Sequence, residues 1–113
     1  MINWHILDNT AQLDAIVELS YTTPCLIFKH STTCSISAMA KARLEKSWHF
    51  EASQMTPYYL DLLRFRPIST EIAARFGVFH ESPQVLLIRN GECTYDASHL
   101  DISVAELAAC YQD

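Results

Sequence analysis

The 113-residue sequence has no long apolar run and no cluster of basic residues. Its apolar segments are far shorter than the roughly 20 residues that a membrane-spanning helix needs. Eight Lys and Arg stand against 13 Asp and Glu, a formal net charge of −5, so a nucleic-acid partner is not expected. The first residues, Met1–His5, lack the basic and apolar regions of a signal peptide. We therefore expect a cytoplasmic protein without a membrane partner.

The cysteines form none of the familiar paired motifs. They stand at positions 25, 34, 93 and 110, so no Cys-x-x-Cys pair is present and the spacing matches no zinc pattern. The five histidines are dispersed, and we predict neither a metal site nor a cofactor. In a reducing compartment the cysteines are expected to remain thiols. A chain of 113 residues is predicted to form one domain, 1–113.

The segment around Cys34 carries the clearest chemical signal. The unbroken apolar run Cys25–Phe28 predicts a buried central strand, and a polar loop of serines and threonines follows it. Residues 36–46 are rich in helix formers. Cys34 is thus predicted at the first turn of a helix, where unpaired N–H groups and the helix dipole favour an anion. A thiol in that place ionises more easily, and the thiolate is the nucleophilic form of cysteine.

Periodicity and turn residues predict the remaining elements. Strands are expected over 2–7, 25–30, 58–62, 85–88 and 92–96, and helices over 9–20, 34–50, about 67–77 and about 104–111, with 51–57 as a connector. Asn90-Gly91 predicts a hairpin between the last two strands. The order β-α-β-α-β-α-β-β-α predicts an α/β fold, a mixed sheet with helices on both faces. A reactive cysteine after the second strand, with Pro83 opening the fourth, is typical of a thioredoxin-like fold.

Several segments of the sequence resemble a known family. They are Phe28–Cys34 with Ile36–Ala38 behind it, then Arg66–Ser69, Ile72-Ala73, Gly77-Val78, His80–Val85 and Asn90–Glu92. This resemblance to the YtxJ-type proteins, the monothiol bacilliredoxins, spans nearly the whole chain and implies a thioredoxin-like fold. It also implies an enzyme that removes bacillithiol from mixed disulfides on client proteins, with this low-molecular-weight thiol as co-substrate. Where the family typically has proline after the cysteine, this chain has Ser35.

The resemblance implies monothiol chemistry at Cys34. In a Cys-x-x-Cys oxidoreductase the second thiol resolves the mixed disulfide that the first has formed, and here Ser37 occupies that place. A hydroxyl cannot form the internal disulfide, so an external thiol must release whatever Cys34 captures. Pro83, preceded by Ser82, is expected beside Cys34 as the cis-proline that presents main-chain groups to an incoming disulfide. Its alternative role is to limit pairing at a strand end.

The neighbours of Cys34 each have a functional and a structural interpretation. His30 could stabilise the thiolate or transfer a proton, or it could simply be a polar strand terminus. Thr33 and Ser31 could hydrogen-bond the sulfur, like any loop hydroxyl. Lys29 could supply positive potential, although a solvated side chain is the default expectation.

The sequence leaves two rival functions open. An iron–sulfur carrier of the monothiol glutaredoxin type also pairs a cysteine with a serine three residues on, but the Cys-Gly-Phe-Ser pattern of those proteins is absent here. The other rival is a binding module that kept the fold without catalysis. Cys25 and Cys93 are expected to be strand residues, and a resolving role for either, or for Cys110, would require proximity to Cys34.

Overall fold

The computed structural model describes residues 2–112, which contain five strands, four α-helices and one short 3-10 helix. In chain order they are β1 His5–Ile6, α1 Ala11–Leu19, β2 Cys25–His30, α2 Ser35–Ser47, β3 Thr56–Asp61, α3 Arg66–Phe76, β4 Gln84–Arg89, β5 Glu92–Ser98, the 3-10 helix His99–Asp101 and α4 Val104–Gln112. The predicted order of helices and strands is confirmed. No helix within this range is long and apolar enough to cross a membrane.

The strands form one mixed sheet in the order β1-β3-β2-β4-β5. β1, β3 and β2 are parallel, whereas β4 is antiparallel to both β2 and β5. The predicted mixed sheet is therefore confirmed. β2 lies at its centre, which explains why every one of its six residues is buried.

Side chains of β2 alternate between two hydrophobic cores. Leu26 and Phe28 pack with residues of α2 and α4 on one face, while Cys25 and Ile27 pack with residues of α1 and α3 on the other. This alternation follows from the two-residue period of a strand. Helices cover both faces of the sheet, as predicted.

The first and third strands show where strand boundaries depart from the predictions. The first strand is only His5–Ile6 because it pairs with just two residues, Tyr58 and Tyr59, at the edge of the sheet. The third strand begins at Thr56, inside the predicted connector, because Thr56 pairs with Cys25 and its N–H donates to the Pro24 carbonyl at 3.0 Å. Pairing between residues distant in sequence decides the bounds of both strands, and the local composition does not reveal that pairing.

The second helix ends three residues earlier than predicted, at Ser47. Trp48 adopts an extended conformation (φ −63°, ψ 123°), and the rings of Trp48 and Phe50 pack edge to face with centroids 5.0 Å apart. Both aromatic side chains are buried in the core on the α2 face. Leaving the helix lets two large apolar side chains, two residues apart, reach the same core.

Several turn predictions are confirmed. Gly77 ends α3 in the left-handed conformation (φ 65°) that glycine adopts most easily. Asn90 and Gly91 both have positive φ, as a tight hairpin between β4 and β5 requires. β5 extends two residues further than predicted, to Ser98, where it pairs with Gln84.

The carboxyl end of β2 meets two other strand ends at one edge of the sheet. His30 pairs with Asp61 at the end of β3, and Lys29 pairs with Gln84 at the start of the antiparallel β4. We call this the site edge, defined by His30, Asp61 and Gln84. The loop that carries Cys34 leaves β2 at this edge, and Pro83 immediately precedes β4 there.

Candidate active site

Cys34 is the N-cap residue of α2, one position before the 13 helical residues. Its carbonyl accepts the N–H of Ala38 at 3.0 Å, and its own N–H donates to the Ser31 carbonyl at 3.2 Å. The side chain is half-buried and makes no capping hydrogen bond. The sulfur thus lies at a helix N-terminus, beside the unpaired N–H groups of the first turn, and it is still accessible to a substrate.

Ser37 lies one helical turn after Cys34 and is completely buried. Its Oγ is 2.6 Å from His30 Nδ1 and accepts the main-chain N–H of Ser31 at 3.0 Å. Either neutral tautomer of His30 keeps this contact, because the Ser37 hydroxyl can donate to Nδ1 or accept a second hydrogen bond from it. The hydroxyl that replaces a second thiol therefore joins the end of β2 to the start of α2 and fixes the loop between them.

His30 is a buried, neutral link in this arrangement. It is 6% exposed, and its ring packs against those of Phe28 and Tyr59, with centroid distances of 5.6 and 5.5 Å. Burial lowers the pKa of His30, and the positive charge of Lys41 lowers it further. The neutral imidazole is favoured, so the geometry supports a role in positioning Ser37 rather than in supplying a positive charge.

The loop hydroxyls bond to each other. Ser31 Oγ lies 3.4 Å from Thr33 Oγ1, with Ser31 buried and Thr33 exposed. Within residues 2–112 neither hydroxyl is hydrogen-bonded to Cys34 Sγ. Their contribution in this structure is to shape the loop before Cys34.

Ser82 and Pro83 lie at the site edge, as expected for residues directly before β4. The peptide bond between them is cis, and the Pro83 carbonyl accepts the N–H of His99 at 3.0 Å. The buried Oγ of Ser82 has no hydrogen-bond partner in the part of the chain that the structure describes, and its main-chain N–H and carbonyl are likewise unpaired there. Unpaired main-chain groups at this edge of the sheet are available to an extended substrate.

The expectation that Lys29 is solvated is wrong. Lys29 is 0% exposed. The alternation of side chains along β2 directs it toward α3, which covers that face of the sheet. Its Nζ donates to the Ser69 carbonyl and to His80 Nδ1, both at 3.3 Å. Among residues 2–112 no carboxylate pairs with this ammonium. Burial lowers the pKa of Lys29 to about 8.

Gln84 belongs to the same cluster as Lys29, Ser69 and His80, which the sequence analysis did not predict. It pairs with Lys29 across the β2–β4 ladder, is buried, and donates from Nε2 to the Phe79 carbonyl at 3.0 Å. The apolar run of β2 could have predicted that Lys29 is buried. A strand that is covered on both faces also buries the residue that follows the run. Which segments Lys29 would contact is decided by the tertiary fold.

Substitution of Lys29 by methionine is expected to change how stability depends on pH. The pKa falls from 10.5 to about 8 on folding, so the buried ammonium opposes folding fully below about pH 8 and progressively less toward pH 10.5. From pH 7 to 10.5 the wild type should gain about 3 kcal/mol of unfolding free energy relative to Lys29→Met, at about 1.4 kcal/mol per pKa unit. Urea unfolding at several pH values measures this. The exposed Lys46→Met variant is the control, and its difference in unfolding free energy from wild type should not change with pH. The same pH-independent difference for Lys29→Met would contradict the prediction.

The other three cysteines lie at the opposite edge of the sheet. Cys25 begins β2, about 17 Å from the His30 end at roughly 3.3 Å per residue. Cys25 and Cys93 both pair with Ile88 near the end of β4, and the Cys110 carbonyl accepts from Arg89 at 3.2 Å. A disulfide needs Cα atoms within about 4.4–6.8 Å, so none of them can resolve an adduct on Cys34 of the same chain in this fold.

Comparison with solved structures supports the class that this site defines. One match, described as a proposed oxidoreductase with a thioredoxin fold, is 33% identical, covers 96% of this chain and 92% of its own, and has a TM-score of 0.81. The thioredoxin of Malassezia sympodialis is 17% identical with a TM-score of 0.73, over 99% of this chain and 90% of its own. A chain from a structural study of thiol resolution in a yeast mitochondrial 1-Cys peroxiredoxin is 15% identical with a TM-score of 0.75, over 98% and 95% of the two chains. The last two show the fold alone.

A thioredoxin-like fold with its one site-edge thiol at the start of α2 defines a thiol-disulfide oxidoreductase. The sequence matches the family described as monothiol bacilliredoxin BrxC over residues 5–107. The chain belongs to the monothiol bacilliredoxin family.

Proposed function

We propose that this enzyme removes a low-molecular-weight thiol, specifically bacillithiol, from mixed disulfides on client proteins. The observation that carries the proposal is the combination of a half-buried Cys34 at a helix N-terminus with Ser37 in the resolving place. Because the other cysteines lie at the opposite edge of the sheet, a captured thiol has no internal route off Cys34. The cytoplasm, where thiols are kept reduced, is the compartment we propose for this chemistry.

The exchange proceeds in two balanced steps. The Cys34 thiolate attacks the sulfur of the small thiol in the mixed disulfide, and that S–S bond breaks as the new one forms. The client cysteine leaves as a thiolate and takes a proton from water. A second molecule of low-molecular-weight thiol then attacks the adduct as its thiolate, which forms the small-molecule disulfide and returns Cys34 to its thiolate form.

The surface around Cys34 supports a protein as the partner that brings the mixed disulfide. Most of the large apolar side chains that are exposed lie on segments adjoining the site edge: Ile36, Met39, Leu63, Phe79 and Leu100. Phe79 alone is 94% exposed. Exposed apolar side chains grouped around a reactive residue are a common feature of protein-binding surfaces. With the unpaired main chain of Ser82, they suit an extended client segment.

The identity of the small thiol is tested by adduct formation. Reduced protein is exposed separately to the disulfides of bacillithiol, glutathione and coenzyme A, and intact mass is followed over time. We expect a single adduct per chain, formed fastest with bacillithiol and located on Cys34 by peptide mapping. A client carrying bacillithiol on one cysteine should then lose it to the enzyme in a stoichiometric transfer. Equal or faster reaction with glutathione disulfide would contradict the choice of bacillithiol, and absence of transfer from the client would contradict the function.

A further inference from the structure

The cluster of Lys29, Ser69, His80 and Gln84 at the site edge has a feature that the exchange chemistry alone does not require. An ammonium group without a carboxylate partner is costly to bury, because its neutral partners replace only part of its hydration. Lys29 is such a group, and it stands one residue before the end of the strand that leads to Cys34. Groups of this kind concentrate at functional sites, where their cost is offset by a role in the mechanism.

The contacts of this cluster converge on one short segment, residues 79–80. Lys29 Nζ donates to His80 Nδ1 at 3.3 Å, and Ser69 Oγ lies 3.2 Å from the same nitrogen. Gln84, the cross-strand neighbour of Lys29, donates to the Phe79 carbonyl at 3.0 Å. Side chains from β2, α3 and β4 therefore hold the two residues that precede the sequence Glu81-Ser82-Pro83.

These contacts set the protonation state of His80. Since Nδ1 accepts from Lys29, the ring proton belongs on Nε2 and the imidazole is neutral. Three charged groups act on the ring: Lys29 from β2, Arg66 from α3, and Glu81 beside it in the chain. His80 is exposed overall, and the partial desolvation of its ring lowers its pKa. Lys29 and Arg66 lower that pKa further, and Glu81 raises it. Protonation would put an N–H on Nδ1 facing the ammonium and break the contact.

We propose that Lys29 is a positioning residue for the exchange at Cys34, acting through His80 to hold the segment before Ser82–Pro83 in the conformation that receives a client. The role rests on the proposed function, since it concerns how the mixed disulfide is docked. Below the pH at which His80 becomes protonated, the segment is released and transfer slows. The unpaired main chain of Ser82 is the group whose placement depends on this link.

Two pairs of variants test the proposal in the full-length chain. Lys29→Met removes the donor, and Lys46→Met makes the same change at an exposed lysine. His80→Leu removes the acceptor, and His80→Asn retains an acceptor oxygen at the place of Nδ1 without a titratable ring. Displacement of a docking group by about 1 Å costs up to about a hundredfold in rate, so we expect at least a tenfold fall in kcat/KM for Lys29→Met and His80→Leu. Lys46→Met and His80→Asn should stay within about threefold of wild type at pH 7.5. Circular dichroism confirms that each variant is folded.

The pH profile separates positioning from a merely structural role. Cys34 is present in every variant, so a ratio of rates between two variants reports the effect of the substitution alone. Desolvation and Lys29 lower the pKa of His80 from its ordinary value of 6.5. The ratio of His80→Asn to wild-type activity should therefore rise as the pH falls below 6.5, because only the wild type loses its acceptor nitrogen. Amide hydrogen exchange at residues 79–82 should be faster by tenfold or more in Lys29→Met and unchanged in Lys46→Met.

The outcomes distinguish the two proposals. If the wild type transfers no thiol, the proposed function fails, while hydrogen exchange still tests the link between Lys29 and the loop. If the wild type is active and Lys29→Met matches Lys46→Met in both rate and exchange, the positioning role is overturned. A flat activity ratio from pH 5 to 8 would overturn the part assigned to His80.

Discussion

Replacing Cys34 with serine is expected to abolish transfer from a thiolated client, by more than about 10³-fold, because no other cysteine can act as the nucleophile. Burial raises the pKa of Cys25 to about 12 and that of Cys93 to about 11, so almost none of either thiol is ionised at neutral pH. Both also lie at the opposite edge of the sheet, beside Ile88. Single Cys→Ser variants at positions 25, 34, 93 and 110 are assayed on the same client.

The comparison among the four variants decides the monothiol interpretation. Cys93→Ser and Cys110→Ser should keep activity within about threefold of wild type. Cys25→Ser puts a hydroxyl into the core on the α1 and α3 face, so its rate is expressed per folded molecule. Activity retained by Cys34→Ser, or lost equally in a second variant, would show that another thiol takes part in turnover.

Substitution of Ser37 by cysteine is expected to convert the site from one thiol to two. Position 37 lies one turn into α2 from the N-cap Cys34, and residues so spaced at a helix start can reach the Cα separation of about 4.4–6.8 Å that a disulfide needs. After a single treatment with the disulfide of a low-molecular-weight thiol, the wild type should carry one adduct, on Cys34. Ser37→Cys should instead release that thiol and form an internal Cys34–37 disulfide, which peptide mapping and intact mass identify.

A cysteine at the far end of the same helix is the matched control. Ser47→Cys introduces the same thiol at an exposed position, a full 13 residues beyond Cys34, and should leave the adduct in place. The Ser37→Cys variant also loses the 2.6 Å contact to His30, so some loss of stability is expected alongside the gain of internal resolution. An unbridged cysteine at position 37, with the adduct still on Cys34, would show that the two side chains do not approach each other in solution.

Local sequence signals were sufficient for most of the fold. The apolar run of β2, the glycine that ends α3 and the Asn90-Gly91 turn are each encoded within a few residues, and each appears in the structure as predicted. The errors fell where contacts distant in sequence compete with local preference. Thr56 joins β3 because Cys25 is there to pair with it, and Trp48 leaves α2 because the core accepts its ring.

The features of the candidate site likewise fall into two groups, those that the local sequence determines and those that the tertiary structure decides. The sequence alone determines that Cys34 begins a helix and that Ser37 stands where a second thiol would be, because both follow from spacing along one chain segment. Only the tertiary structure decides that Cys25, Cys93 and Cys110 lie at the far edge, since this depends on which strands pair and in which direction. It also decides that Lys29 is buried against Ser69 and His80. A buried charge is tolerated only where distant segments supply its hydrogen-bond partners, and no pattern within β2 records which segments those are.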